Sequence, residues 1–317
     1  MRRMKHVLCN IGGTNIATAS FDGTNIGHTL TFKTSTFSSA ADVIQKLQTR
    51  IDFDSAAIAI AGPTDGVRGR LTNGELFFDA RELKTEFKLE HICLVNDLEA
   101  VAWRLSCEAT RGVSTIWAGE STRASVKSVV GVGTGFGLSF IAETRDGGFS
   151  VIPSEGGHST ACATDDFEAQ VIASLRKFGH VSIEDILSGS GLLRLSSSIS
   201  NLLGVQSKAT SPEEVCKFAI NKTCKVCEVS FDTFWSFLGS HCGNIALTMK
   251  SLGGVYICGG IVPSYVKELK NSRFLEKFLS KGKFETFLHD IPIKVIVQKH
   301  VEIEGLANLL GSKALTR

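Results

Sequence analysis

Proline is scarce in this chain, with only five among 317 residues. No low-complexity tract is present either, and together these absences argue against long disordered linkers. Long apolar runs are also missing. No uncharged apolar stretch reaches the roughly 18 residues that a membrane helix needs. The start, MRRMKHVLCN, is basic, but its only apolar run is Val7, Leu8 and Cys9. That is too short for the core of a signal peptide, so the expectation is a soluble, cytoplasmic protein. An excess of one charge is absent too. Lys plus Arg number 34 against 32 Asp plus Glu, a formal net charge of +2 with both signs mixed along the chain. A nucleic-acid binder relying on a strong basic field is not expected. What the chain has in quantity is apolar residues, 43%, enough for the core of one large domain or two modest ones.

Two familiar phosphate-binding patterns are missing as well. There is no G-x-x-x-x-G-K-[ST]. GVGTGFG (131–137) lacks the third glycine of G-x-G-x-x-G in its place. The segment after it, LSFIAE, reads as strand, whereas a dinucleotide-binding unit needs a helix N-terminus there. The nine cysteines are an odd number scattered through apolar segments, which suits small buried hydrophobes in a reducing compartment. Cys224-Lys-Val-Cys227 has a metal or redox spacing but no second C-x-x-C to pair with. His241-Cys242 is the one candidate for completing such a site, and zinc is not expected.

Segments of strand and helix character then alternate. Residues 6–10 and 15–21 read as strands joined by a Gly12-Gly13 turn. SSAADVIQKLQTRI places Val43, Ile44, Leu47 and Ile51 on one helical face. SAAIAIAG and HICLVND read as buried strands, and LEAVAWRL as a helix. A polar connection follows. SVKSVVGVGTGFGLSFIAE then reads as strand, Gly-rich turn and strand, and FSVIPSEGGH as a further strand. DDFEAQVIASLRKFG reads as a helix with Asp165 and Glu168 at its cap. Ser211-Pro212-Glu213-Glu214 is a helix start with Ser as cap and Pro at the first position. GGVYICGGIV and PIKVIVQKHV are strands, and EGLANLLGSKAL is a helix.

One internal echo stands out. HVLCNIGGTNIATASF and VVGVGTGFGLSFIAE share the plan strand, Gly-Thr-containing turn, returning strand, about 120 residues apart. Each turn can be a plain hairpin, or its backbone N–H groups can cradle a phosphate. Asn96-Asp97 ends a buried strand, where ligands collect in open α/β sheets. There Asp97 can be a general base, or simply the cap of the next helix. In SEGGH, Glu155 and His158 flank a Gly-Gly turn and can both reach a polyol. Glu184 reads as a residue in the first turn of a helix opened by Ser182, where a carboxylate complements the dipole.

Taken in order, these segments resemble the bacterial-type glucokinase family of the actin-like sugar kinases. The resemblance is carried by NIGGTN (10–15), LTN (71–73), VNDLEAVAW (95–103), GVGTGFG (131–137), SEGGH (154–158), GHVSIEDILSGSGL (179–192), GNIALTMKSLGGVYICGGIVP (243–263) and KGKFETFLHDIPIKVIV (281–297). It spans nearly the whole chain. The cysteine-rich zinc segment of the related repressor/open-reading-frame/kinase group is missing; only Cys162 stands in that region.

The resemblance implies a two-lobed α/β fold of the actin-like ATPase (ribonuclease H-like) type, each lobe a mixed sheet flanked by helices. The small lobe would be residues 1–107 plus a C-terminal helix at about 302–317, and the large lobe 108–301. ATP and glucose would lie in the cleft between them, with Mg2+ accompanying the ATP and a homodimer as the assembly. The reaction implied is ATP-dependent phosphorylation of glucose at its 6-hydroxyl, the first step of glycolysis. Asn96, Asp97, Glu155, His158 and Glu184 would hold the sugar, with Asp97 as the base. Asn10, Ile11, Gly12, Gly13, Thr14, Gly133, Thr134, Gly135, Gly259 and Gly260 would bind ATP.

Three departures accompany the resemblance. Asn10 stands where the family pattern has Asp. Leu76 replaces a Trp after the Thr-Asn pair. EIEGLA (302–307) stands in place of a Gly-Leu-Leu-Gly run. The first bears on Mg2+ and predicts a slow kinase. The alternative it raises is a sugar-binding pseudokinase or sensor with impaired Mg-ATP use.

Overall fold

A computed structural model of the chain describes residues 5–107, 111–120 and 125–312. The basic first residues and the last residues of the expected C-terminal helix lie outside these. By contacts the chain forms two compact units, Met1–Arg111 with Ser139–Pro153 and Gln298–Arg317, and Gly112–Leu138 with Ser154–Val297.

The first part of the chain supplies β1 (His6–Ile11), β2 (Asn15–Phe21), β3 (Leu30–Lys33), α1 (Ala40–Gln48), β4 (Ser55–Ile60), β5 (Arg68–Arg70), β6 (Phe77–Asp79), α2 (Ala80–Glu86), β7 (His91–Asn96) and α3 (Asp97–Arg104). There follow β8 (Val113–Trp117), β9 (Lys127–Val132), β10 (Phe136–Glu143), β11 (Phe149–Ser154), α4 (Asp166–Leu175), α5 (Gly189–Leu203), α6 (Pro212–Ile220), α7 (Lys225–Met249), β12 (Gly254–Cys258), α8 (Val266–Lys270), α9 (Phe274–Leu279), α10 (Glu285–His289), β13 (Ile293–Ile296) and α11 (Val301–Gly311).

The sheet of the first unit has the order β3-β2-β1-β4-β7. β1, β2 and β3 pair antiparallel, while β1, β4 and β7 run parallel. Alternation along the strands splits the core in two, because successive side chains point to opposite faces. Val7, Cys9, Ile11, Ile58 and Ile60 face a layer that includes Val43, Ile44 and Leu47 of α1. Leu8, Ala57 and Ala59 face Ala100 and Trp103 of α3 and Ile303 and Leu306 of α11. The alanines on that face let two helices approach the sheet closely. Phe149 and Val151 pack against the same cluster, which ties residues 139–153 to this unit.

The second unit repeats the plan. β9, β12 and β13 run parallel, β8 pairs antiparallel with β13, and β10 borders β9 across the Gly133–Gly135 turn. The expected polar connection therefore contains a strand, β8, whose side chains are half-buried at the sheet edge and lack a strong apolar pattern. The core helix is α7, 25 residues long, with Phe234, Trp235 and Leu238 fully buried.

Caps occur where the sequence marks them. Ser211 caps α6 through Glu214 N with Pro212 in the first turn, and Asp165 caps α4 through Glu168 N. Cys224 precedes the first residue of α7, and His241 lies seventeen residues further along the same helix. At 1.5 Å per residue that is about 25 Å, so the two cannot share one metal. No helix among the described residues is long and apolar enough to cross a membrane.

Candidate active site

Parallel strands place their carboxyl ends at one edge of a sheet, and here that edge carries most of the expected residues of the first unit. Register aligns Ile11 with Ile60, and Ile60 with Asn96. The segments leaving these strands, Gly12-Gly13-Thr14, Ala61-Gly62 and Asn96-Asp97, therefore emerge side by side. The Gly12–Thr14 turn is closed by Gly12 N donating to Asn15 O at 3.0 Å. Thr34, just after β3, props it from the side: its Oγ1 donates to Gly12 O at 2.7 Å and its N to Thr14 O at 3.0 Å. Gly13 and Thr14 stay exposed.

Asn10 lies one residue before the end of β1. Its Oδ1 is buried and has no hydrogen-bond partner. A buried acceptor without a donor costs free energy unless a ligand supplies one. An amide oxygen in that position fits a water molecule carried by a hydrated cation, as an uncharged acceptor.

At Asn96-Asp97 the structure corrects one reading. The cap of α3 is Asn96, not Asp97. Asn96 Oδ1 accepts from Leu98 N at 2.9 Å, Glu99 Oε2 accepts from Asn96 N, and Asn96 Nδ2 donates to Gly62 O at 3.0 Å. With the amide doing the capping, the carboxylate of Asp97 is held at the helix start by a bond from Leu98 N at 2.9 Å, with its own N–H and the Asn96 side chain also bonding to it. Burial pushes its pKa up to about 7, helped by the charge of Glu302 and opposed by the N–H groups around it. An acid with that pKa exchanges a proton readily near neutral pH.

In the second unit, Glu155, His158 and Glu184 come together around the Gly-Gly turn. Glu184 N donates to Gly157 O at 2.9 Å, between Gly156 and His158. His158 Nε2 lies 3.8 Å from Glu155 Oε2, and both side chains are well exposed. Glu184 is not in a helix, contrary to the sequence expectation. Ser182 and Asp185 bond reciprocally and close one turn. Ser188 then restarts the chain as the cap of α5.

The carboxylate of Glu184 has a second job that the sequence does not reveal. Its Oε2 accepts from Phe136 N at 2.7 Å, the first residue after the Gly133-Thr134-Gly135 turn. A Cβ at Gly135 would come within 2.5 Å of that carboxylate, so a side chain there would push Glu184 off its bond to Phe136 N. Gly189 N donates to Gly133 O at 2.8 Å and braces the turn from the other side. Gly133 also neighbours Gly260, as Ile261 N donates to Val132 O at 3.1 Å. The turns after β9 and β12 are thus adjacent, while Thr134, Gly259 and Gly260 remain exposed. His241 of α7 lies edge-on to Phe136, ring centroids 5.3 Å apart. Burial, with the charge of Lys281, pushes its pKa down to about 4, so the imidazole is neutral. The sequence marks it only as a candidate partner of the C-x-x-C pair, and nothing near it in sequence signals its place beside this turn.

Two Gly-Thr hairpins on repeated sheets, a carboxylate of raised pKa at a strand end, and Glu155, His158 and Glu184 beside a Gly-Gly turn fit the sugar-kinase class that the sequence resembles. Comparison with known proteins agrees. The glucokinase family model matches residues 7–313. The chain is 32% identical over 311 residues to a glucokinase of Saccharophagus degradans, covering 95% of this chain and 97% of that one. It is 31% identical to a glucokinase of Campylobacter jejuni subsp. doylei, covering 95% and 92%. The crystal structure of a glucokinase from an Antarctic psychrotroph superposes with a TM-score of 0.86 at 30% identity, over 96% of this chain and 98% of that one. A ROK-family glucokinase of Streptomyces griseus, solved with glucose and AMPPNP, shares the fold with a TM-score of 0.63 at 17% identity, over 96% and 98% of the two chains. The chain belongs to the glucokinase family.

Proposed function

We propose that the protein transfers the γ-phosphoryl group of ATP to the 6-hydroxyl of glucose, with Asp97 as the base. The observation that carries this is a half-buried carboxylate at a strand end whose pKa of about 7 suits proton abstraction at neutral pH. In this reading Asn96, Asp97, Glu155, His158 and Glu184 hold the sugar hydroxyls. The backbone at Gly12, Gly13 and Thr14, and that at Gly133, Thr134 and Gly135, meets the phosphates, and Gly259-Gly260 the nucleoside. The glucose oxygen bonds to the γ-phosphorus, the bond from that phosphorus to the bridging oxygen breaks, Asp97 takes the hydroxyl proton, and ADP leaves. Such a reaction needs positioning and charge neutralisation more than covalent help from the protein.

A divalent cation, Mg2+ in this reading, neutralises phosphate charge when it accompanies the nucleotide. Among the described residues no group of three or more His, Cys, Asp or Glu side chains could hold a metal ion. The ion would then be carried mainly by phosphate oxygens and water, as Mg2+ usually is. Asn10, with its unpartnered Oδ1, is the side chain that can accept from such a water. The pseudokinase alternative rests on Asn10 and the altered EIEGLA run (302–307) and draws no support from the comparisons.

The test uses purified protein with glucose and Mg-ATP, with glucose 6-phosphate read by a coupled dehydrogenase. Product should form from glucose and none from 6-deoxyglucose, which lacks the acceptor hydroxyl. No product from glucose in folded protein overturns the reading.

A further inference from the structure

Helices α3 and α11 pack in parallel register within the first unit. Gly305 lies directly against the backbone of Ala100 and Arg104, where a Cβ would overlap Ala100 O. Further along, Asn308 Nδ2 donates to Trp103 O at 3.2 Å, and Arg104 Nε pairs with Glu304 Oε2 at 2.6 Å. Step back three residues from the Ala100–Gly305 contact on both helices and one arrives at Asp97 and Glu302. Each is in the first turn of its helix, so the contact places the two residues at matching levels of the helix pair. Glu302 is half-buried, and it belongs to the EIEGLA run that departs from the family's Gly-Leu-Leu-Gly.

We propose that Glu302 is a positioning residue for Asp97, acting across the α3–α11 contact to set how strong a base Asp97 is. The proposal rests on the reading of Asp97 as the base. Two carboxylates held together resist double ionisation, so their protons leave in two steps that belong to the pair. The other groups around them do not replace this effect. On α3 itself, Asn96 caps the helix and its side chain also bonds to Asp97, favouring the charged carboxylate without carrying charge, and Glu99 bonds back to Asn96 N. Cys93 of β7 is a thiol that burial pushes up to about 11, hence neutral. Glu304 is turned to Arg104. Burial raises the Glu302 pKa, while its own backbone N–H and His300, ahead of α11, favour its charged form, so His300 moderates the pair through Glu302. The consequence is a proton-acceptor strength at Asp97 that depends on a residue about 200 positions away in sequence.

The experiment has two readouts. The first is a carbon-13 NMR titration of carboxyl-labelled protein, with the Asp97 signal assigned by its loss in Asp97→Asn. The second is the pH profile of kcat/KM for glucose. In Glu302→Gln, which keeps the shape of the side chain, the Asp97 midpoint should fall by about half a pH unit or more. The acid limb of the profile should fall with it, and KM for glucose should hold within about twofold. Glu302→Asp should move both less. An Asp97 midpoint unchanged in a folded Glu302→Gln protein overturns the proposal. The titration needs no turnover, so coupling without phosphorylation would refute the proposed function and not this inference. Phosphorylation without coupling would do the reverse.

Discussion

The hairpin of the first unit and that of the second share a plan but are held differently. Gly12–Thr14 is propped by Thr34, with a hydroxyl and a backbone N–H. Gly133–Gly135 is propped by a carboxylate, Glu184, and by Gly189 N. The first therefore brings no formal charge to its own support. Asn10, where an acid would otherwise sit, keeps it neutral. The second carries a carboxylate that already holds the turn. Two similar loops can thus differ in what they ask of a ligand: the first needs a donor for a buried amide oxygen, and the second is pre-organised.

Substitutions can break or sharpen this contrast. The largest expected effect is at Asp97, the proposed base. Asp97→Asn should lower kcat by about 100- to 10,000-fold, with glucose binding by calorimetry nearly unchanged. Next, Glu184→Ala removes a charge-assisted bond of about 1.5–3 kcal/mol, so both glucose and Mg-ATP should bind at least tenfold more weakly by calorimetry. Glu184→Gln should recover most of the nucleotide affinity and less of the sugar affinity, because the amide oxygen still accepts from Phe136 N. Asn10→Asp should raise Mg-ATP affinity or turnover by about tenfold, the size of effect expected for a group acting on a metal through its water. An unchanged rate would mean that the neutral hairpin has adapted to its amide.

A separate effect is on stability. Asp97 has a folded-state pKa raised from 3.8 to about 7, so its ionisation opposes folding. The protein should lose stability as pH rises from about 4 to about 7, and the loss should persist above that. Thermal melts of Asp97→Asn against the parent should show the variant gaining at pH 8 and losing that gain at pH 4.

Local signals made much of this legible in the sequence. The strand ends, the two Gly-Thr turns and the caps at Ser211 and Asp165 depend on neighbours a few residues away, and all were readable. The missed features depend on distant partners or weak patterns. Glu184 reaches Phe136, 48 residues earlier, and nothing near either marks the bond. Asn96 and Asp97 are equally good caps by type, and only the bond to Gly62 O shows which one turns inward. Helix α11 begins at Val301, three residues ahead of the expected segment, because it follows His300 at φ 56° with no side-chain cap to mark the start. β8 is an edge strand too polar to stand out.

The most direct measurement is the initial rate of ADP formation at saturating Mg-ATP, with glucose present and absent. A rate that depends on glucose, and that falls to the glucose-free level in Asp97→Asn, is the predicted result. A folded, glucose-binding protein whose ADP formation is the same with and without glucose would contradict the account.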